Sequence, residues 1–168
     1  MCINLQKKIS ENGTLSPISF YGQTKFLAEK FIKKKLHGKM NYCVGRIFST
    51  TNKNQKKNYL VPDLKYKIRK TKKKIKLKNL NHYRDFISME DISKIIFVLM
   101  KKKFCGIINI GSGKKTYLKD IANIILKKYN KNADFVDAPK STCLLSDNKK
   151  LKKLIEFKIN SNLKKMIF

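Results

Sequence analysis

An α/β fold is what this chain predicts, on three observations. Short runs that alternate polar and apolar residues, as at 74–77, are interleaved with longer runs of helical period, such as Leu118, Ile121, Ile124 and Ile125. Glycine, proline and asparagine mark the joins between them, and no internal repeat organises the whole. At 168 residues the chain has the size of about one domain, large enough to bury a sizeable core.

The elements follow in order. Residues 1–17 form a polar lead-in containing Gly13 and Pro17. A helix is expected at 19–36. Ser16 or Ser19 offers an N-cap, and Phe20, Leu27, Phe31 and the Phe26/Ile32 edge supply apolar positions. Lys33, Lys34 and Lys35 stand where the helix dipole favours cations, and Gly38 is the stop. A strand at 41–48 and a polar loop at 49–58 come next. Pro62 sits at the start of a helix running to about residue 70. After the strand at 74–77 the chain turns through 79–83, and 85–87 is extended. Ser88 and Asp91 have the spacing of a capping box that opens a helix to about 101. A strand at 107–110 is followed by Gly111-Ser112-Gly113-Lys114. This is a strand-to-helix turn and not a triphosphate cradle, because Lys115 stands where Ser or Thr is required after the Gly-Lys. Thr116 is the expected N-cap of a helix at 117–129, and a strand at 134–136 and a helix at 147–154 complete the pattern.

The formal charge of +29 would ordinarily point to a polyanion. Yet of the 40 basic residues only Arg46, Arg69 and Arg84 are arginine, and the lysines are scattered in short runs. Base-edge readers favour the guanidinium fork, so no specific nucleic-acid role is expected. Cys2, Cys43, Cys105 and Cys143 are far apart and form no Cys-x-x-Cys, so neither a disulfide framework nor a metal site is expected; His37 and His82 read as surface or loop residues. No apolar run is long enough to span a bilayer, and a cytoplasmic location is the expectation.

The chemistry is concentrated in Ser16-Pro17-Ile18-Ser19-Phe20-Tyr21-Gly22-Gln23-Thr24-Lys25. Residues i and i+4 share a helix face, so the Tyr21 phenol and the Lys25 ammonium can converge on one small molecule. A neighbouring cation favours the phenolate, which brings a group with an ordinary pKa near 10 toward the working range of a base. Spacing alone is weak evidence, since chance supplies such pairs in so Lys-rich a chain. Tyr66 and Lys70 repeat the spacing and are read as accident. The frame sets the first pair apart: Pro17 ahead, Gly22 beside the Tyr, and Ala28-Glu29 after the Lys.

That frame resembles the active-site helix of the extended short-chain dehydrogenase/reductases, the NAD(P)-dependent epimerases, dehydratases and reductases of nucleotide sugars. Arg46-Ile47-Phe48-Ser49 is similar to the family's Arg-x-Phe-Asn, and Tyr59-Leu60-Val61-Pro62-Asp63 to the segment that closes over substrate. Arg84-Asp85-Phe86-Ile87-Ser88-Met89-Glu90-Asp91 resembles its Arg-Asp-Phe/Tyr-Ile-x-Val-x-Asp, and Ile108-Asn109-Ile110-Gly111-Ser112-Gly113 its Tyr-Asn-Ile-Gly-Ser-Gly. Ser146-Asp147-Asn148-Lys149 echoes a further signature.

The resemblance covers only the second half of the family's usual chain, with no Gly-x-x-Gly-x-x-Gly turn for a dinucleotide. It implies a partial Rossmann-like fold, with residues 1–58 as the tail of the NAD(P)-binding sheet and 59–168 as mainly the smaller substrate-binding domain. Tyr21 would shuttle a proton, Lys25 would bind the nicotinamide ribose, and Phe48 would line the cofactor. Ser49, Val61, Arg84 and Lys140 would hold the nucleotide sugar, Arg84 at its diphosphate. The bland alternative for Arg84 is a structural salt bridge to Asp85 or another acid. Ser49 departs from the family's Asn, and Lys140 from its second Arg. Gln55 with 59–63 leans toward reductases of GDP-sugars. The implied cofactor is NAD or NADP, poorly bound by this chain alone, and a separate chain carrying the other half is the implied partner. The strand at 41–48 would then leave Val44 and Phe48 open to water. The alternative left open is a noncatalytic remnant or basic interaction module that keeps the fold.

Overall fold

A computed structural model describes residues 8–72, 74–160 and 162–168, so Cys2 lies outside the described residues. The elements, in order, are α1 (Phe20–Leu36), β1 (Cys43–Ile47), β2 (Ser49–Thr51), α2 (Leu60–Lys70), β3 (Ile75–Lys78), β4 (Tyr83–Arg84) and β5 (Phe86–Ser88). They continue as α3 (Met89–Lys101), β6 (Gly106–Ile110), β7 (Thr116–Tyr117), α4 (Leu118–Lys128), β8 (Ala133–Val136), β9 (Cys143–Leu144), α5 (Lys149–Lys152) and α6 (Leu163–Ile167).

Parallel pairing dominates, as expected where helices cross over between strands. β1 pairs with β6 from Cys43 opposite Gly106 to Ile47 opposite Ile110. β2 pairs with β5 and β3 with β8, both parallel. β4 is flanked by β7, antiparallel, and by β9, parallel.

Two apolar cores divide the molecule. One gathers α2, β3 and α4 with α6, around Ile68, Leu77, Ile121, Ile125 and Ile167. The other lies between α3, β6 and α5, around Ile87, Ile95, Ile108, Ile110 and Leu151. β1 is hydrogen-bonded to β6, so this pair of strands joins residues before 58 to residues well beyond it.

Local signals explain most termini. Ser19 caps α1 by accepting from the Gly22 N–H at 3.1 Å, and Gly38 takes φ +74 just past its end. Ser88 caps α3 through the Asp91 N–H at 3.0 Å, but the Asp91 carboxylate turns away and accepts from Asn160 N at 2.8 Å. Half of the expected capping box is therefore spent on a tertiary contact.

Three expectations change. Residues 49–51 form a strand where a polar loop was expected, because β5 offers a parallel edge. Thr116 is no N-cap: it pairs with Arg84 in β7, and the helix begins at Leu118 without a side-chain cap. Of the expected helix at 147–154, only Lys149–Lys152 is helical.

Candidate active site

The N-terminus of α1 sets the first two residues. A side chain at position 22 would meet Pro17 Cβ at 3.1 Å and Ser19 Oγ at 3.2 Å, so glycine lets the lead-in cross close to the helix. Tyr21 and Lys25 then emerge on one face, with Lys25 Nζ 5.4 Å from the Tyr21 ring centroid. Tyr21 is 72% exposed. The repeat of the spacing at Tyr66 behaves differently, since the cation over that ring is Lys57 Nζ at 4.4 Å. The apolar positions of α1 divide: Phe26 and Ile32 face the protein, whereas Phe20, Leu27 and Phe31 are exposed.

β1 delivers Phe48 and Ser49 to the junction between the two pairs of strands. Phe48 N donates to Ile110 O at 3.0 Å, and Ser49 lies opposite Phe86, two residues from Arg84. Val44 and Phe48 are half-buried; the open face of β1 is Cys43, Gly45 and Ile47. Although Cys43 is exposed, partial loss of hydration and then the neighbouring Cys105 raise the pKa of its thiol.

Arg84 is the best-defined cation of the site. Its Nη1 donates to Tyr83 O at 2.8 Å and to Thr142 Oγ1 at 3.0 Å, leaving Nε and Nη2 without a partner among the described residues. Burial lowers its pKa from the ordinary guanidinium value, a sign of dehydration that strengthens its bonding to an anion. The alternative reading, a salt bridge to Asp85 or another acid, is not seen: among the described residues Arg84 makes no ion pair.

Asp85 is fully buried and faces elsewhere. Oδ1 accepts from Ser112 N at 2.8 Å and Ser112 Oγ at 2.6 Å; Oδ2 accepts from Gly113 N at 3.0 Å, Ser146 N at 3.1 Å and Ser146 Oγ. A Cβ on Gly111 would sit 2.7 Å from that carboxylate, and Gly113 has φ +71. The glycine loop thus encloses an anion of its own chain, and its amides are spent.

Lys140 is exposed on the loop before β9. Asn81 pins that loop by donating to Ala138 O and accepting from Ala138 N, both at 2.8 Å, and His82 Nδ1 accepts from Thr142 N at 3.1 Å. His82 is therefore a loop tie rather than a surface residue. Val61 departs from its expected role in one respect. Its side chain is 3% exposed and packed in the core, so only backbone is left to meet a ligand. It stands in the first turn of α2, which has no side-chain cap.

Sequence reasoning missed Asp85 as a fastening, Asn81, and Thr51. Thr51 is 1% exposed with a hydroxyl that has no partner among the described residues, as is true of Thr50 Oγ1 and Gln55 Oε1. The signal for Asp85 was the pair of glycines and Ser146. Among the described residues no helix is long and apolar enough to cross a membrane.

Parallel strands joined by crossover helices, with a Tyr and a Lys one turn apart and an arginine on the neighbouring lobe, define the class as an extended short-chain dehydrogenase/reductase fold. The chain belongs to the GDP-mannose 4,6 dehydratase family, which it matches over residues 4–167. It is 34% identical over 96 residues to the GDP-6-deoxy-D-talose 4-dehydrogenase of Aggregatibacter actinomycetemcomitans, covering 57% of this chain and 32% of that protein. Its fold is similar to RMD from Pseudomonas aeruginosa complexed with NADPH, with TM-score 0.82 and 15% identity over 94% of this chain and 56% of that one. It is also similar to UDP-N-acetylglucosamine 4-epimerase from Methanobrevibacter ruminantium in complex with UDP-N-acetylmuramic acid. There the TM-score is 0.79 at 22% identity, over 98% of this chain and 56% of the other. The chain thus spans a third to somewhat over half the length of these relatives.

Proposed function

We propose that this chain supplies the proton-transfer and sugar-binding part of an NAD(P)-dependent epimerase, dehydratase or reductase of a nucleotide sugar. The observation that carries the reading is the Tyr21–Lys25 pair on a capped helix. Tyr21 holds and moves the proton of the reacting sugar hydroxyl, and Lys25, on the same face, offers its donors to a ribose. Arg84 turns Nε and Nη2 to the diphosphate, with Lys140 as a second cation and Ser49 and the Val61 backbone beside it. Phe48 lines the nicotinamide end. Gln55 and the GDP-sugar dehydrogenase relative favour a GDP-sugar.

The dinucleotide contributes hydride exchange when bound, but the described residues fit only its nicotinamide end. The glycine loop that could cradle a pyrophosphate is already filled by Asp85. The cradle must come from outside these residues, on the same polypeptide or a separate chain. The open face of β1 supports this reading. A groove of about 560 Å³, lined by Gly45, Ile47, Ile96, Met100 and Phe104, lies beside it, and Phe20, Leu27 and Phe31 of α1 are exposed nearby in sequence.

Calorimetry with GDP-mannose tests the sugar-binding role. Arg84→Met is expected to weaken binding by about 10- to 100-fold, as for loss of a charge-assisted fork. Unchanged affinity would remove Arg84 from the diphosphate.

A further inference from the structure

We infer that Arg46 and Glu29 are positioning residues, a polar clasp that fixes the Tyr21/Lys25 helix against the sheet. The inference rests on the proton-transfer reading of that pair. α1 buries none of its 17 residues, and only Phe26, Ile32 and Leu36 give it a half-buried apolar stripe. Such a stripe resists sliding and rotation weakly, because apolar contact is nondirectional. Yet the phenol must be held in one orientation to transfer a proton usefully.

The directional contact is the clasp. Among the described residues, Glu29 is the only α1 side chain hydrogen-bonded to another element. Arg46 Nε donates to Glu29 Oε2 at 2.9 Å and Nη2 to Glu29 Oε1, a fork on both carboxylate oxygens. Nη1 donates to Glu11 O at 2.9 Å, so every guanidinium nitrogen is used. Glu11 in turn accepts from Asn109 N at 2.9 Å, and Asn109 Nδ2 donates to Ile9 O at 2.8 Å. The lead-in, α1 and β1 therefore meet at one guanidinium, and Glu11 and Ile9 of the lead-in tie that point to β6 through Asn109. The side chains of Arg46 and Glu29 are only 18% and 16% exposed, where a fork is screened little by water. Glu29 lies one turn beyond Lys25 and two beyond Tyr21, so fixing its azimuth fixes theirs.

Hydrogen exchange read by mass spectrometry on the 168-residue protein tests this. Arg46→Met and Glu29→Ala are each expected to speed exchange of residues 20–36 about tenfold, with α4 and β6 unchanged, and the double variant to go no further. Arg46→Lys, which keeps the charge without the fork, is expected to recover only part of the protection. Unaltered exchange in α1 would overturn the inference. So would uniform acceleration in every element, or additive effects in the double variant. Tyr21→Phe is expected to leave all these rates unchanged, so the clasp can stand or fall apart from the proton-transfer reading.

Discussion

Asp85 is the residue on which most of the local architecture turns. Five donors from two loops converge on one buried carboxylate, so removing it strands three backbone N–H groups as well as two hydroxyls. Asp85→Ala is expected to cost about 3–5 kcal/mol in chemical denaturation. A loss under 1 kcal/mol would mean that water replaces the carboxylate freely. The alternative for Arg84, a salt bridge to Asp85 or another acid, does not hold for Asp85, whose carboxylate is taken up by Ser112, Gly113 and Ser146 while Arg84 bonds Tyr83 and Thr142. Cys43 carries a pH expectation. Its pKa is raised, so the thiol stays protonated through neutral pH and past the ordinary thiol value. Alkylation of Cys43 followed by peptide mass spectrometry should therefore accelerate at a higher pH than that of a cysteine in an unfolded peptide, and rapid labelling near pH 7 would contradict it.

Among the elements, α1 and α3 were legible because their starts are written locally, in Ser19 and Ser88. β7, β9 and α6 were not. Strands of two residues and a five-residue helix exist because a neighbour pairs with or covers them, and no period can emerge over so few positions. The end of α2 shows the same dependence on distant residues. Lys131 Nζ, sixty residues on, donates to Ile68 O at 2.7 Å, Arg69 O at 2.9 Å and Thr71 O at 2.7 Å. It satisfies carbonyls that helix geometry leaves open and places a cation at the negative end of the dipole. Lys131→Met should lower stability by about 1–2 kcal/mol and Tm by about 3–6 °C. An unchanged Tm would show that solvent caps α2 equally well.

For the whole molecule, the family was legible because its motifs occur in order along nearly the full sequence, and two of them anchor contacts now visible: Arg46 on Glu29, Asp85 on Ser112 and Ser146. The pairing of β1 was less so, because its partner β6 lies more than fifty residues along the chain. A net charge of +29 also works against compactness by self-repulsion. One face of β1 and the outward aromatic residues of α1 are exposed among the described residues, and the glycine loop is filled by the Asp85 carboxylate.

The most direct measurement is turnover of a GDP-linked sugar with NADPH by this chain joined to the NADPH-binding portion of RMD from Pseudomonas aeruginosa, comparing Tyr21 with Tyr21→Phe. Loss of the proton-transferring phenol should lower kcat at least about 100-fold with KM little changed. Equal kcat values, or no turnover by a folded fusion that binds both NADPH and the sugar nucleotide, would contradict a catalytic Tyr21.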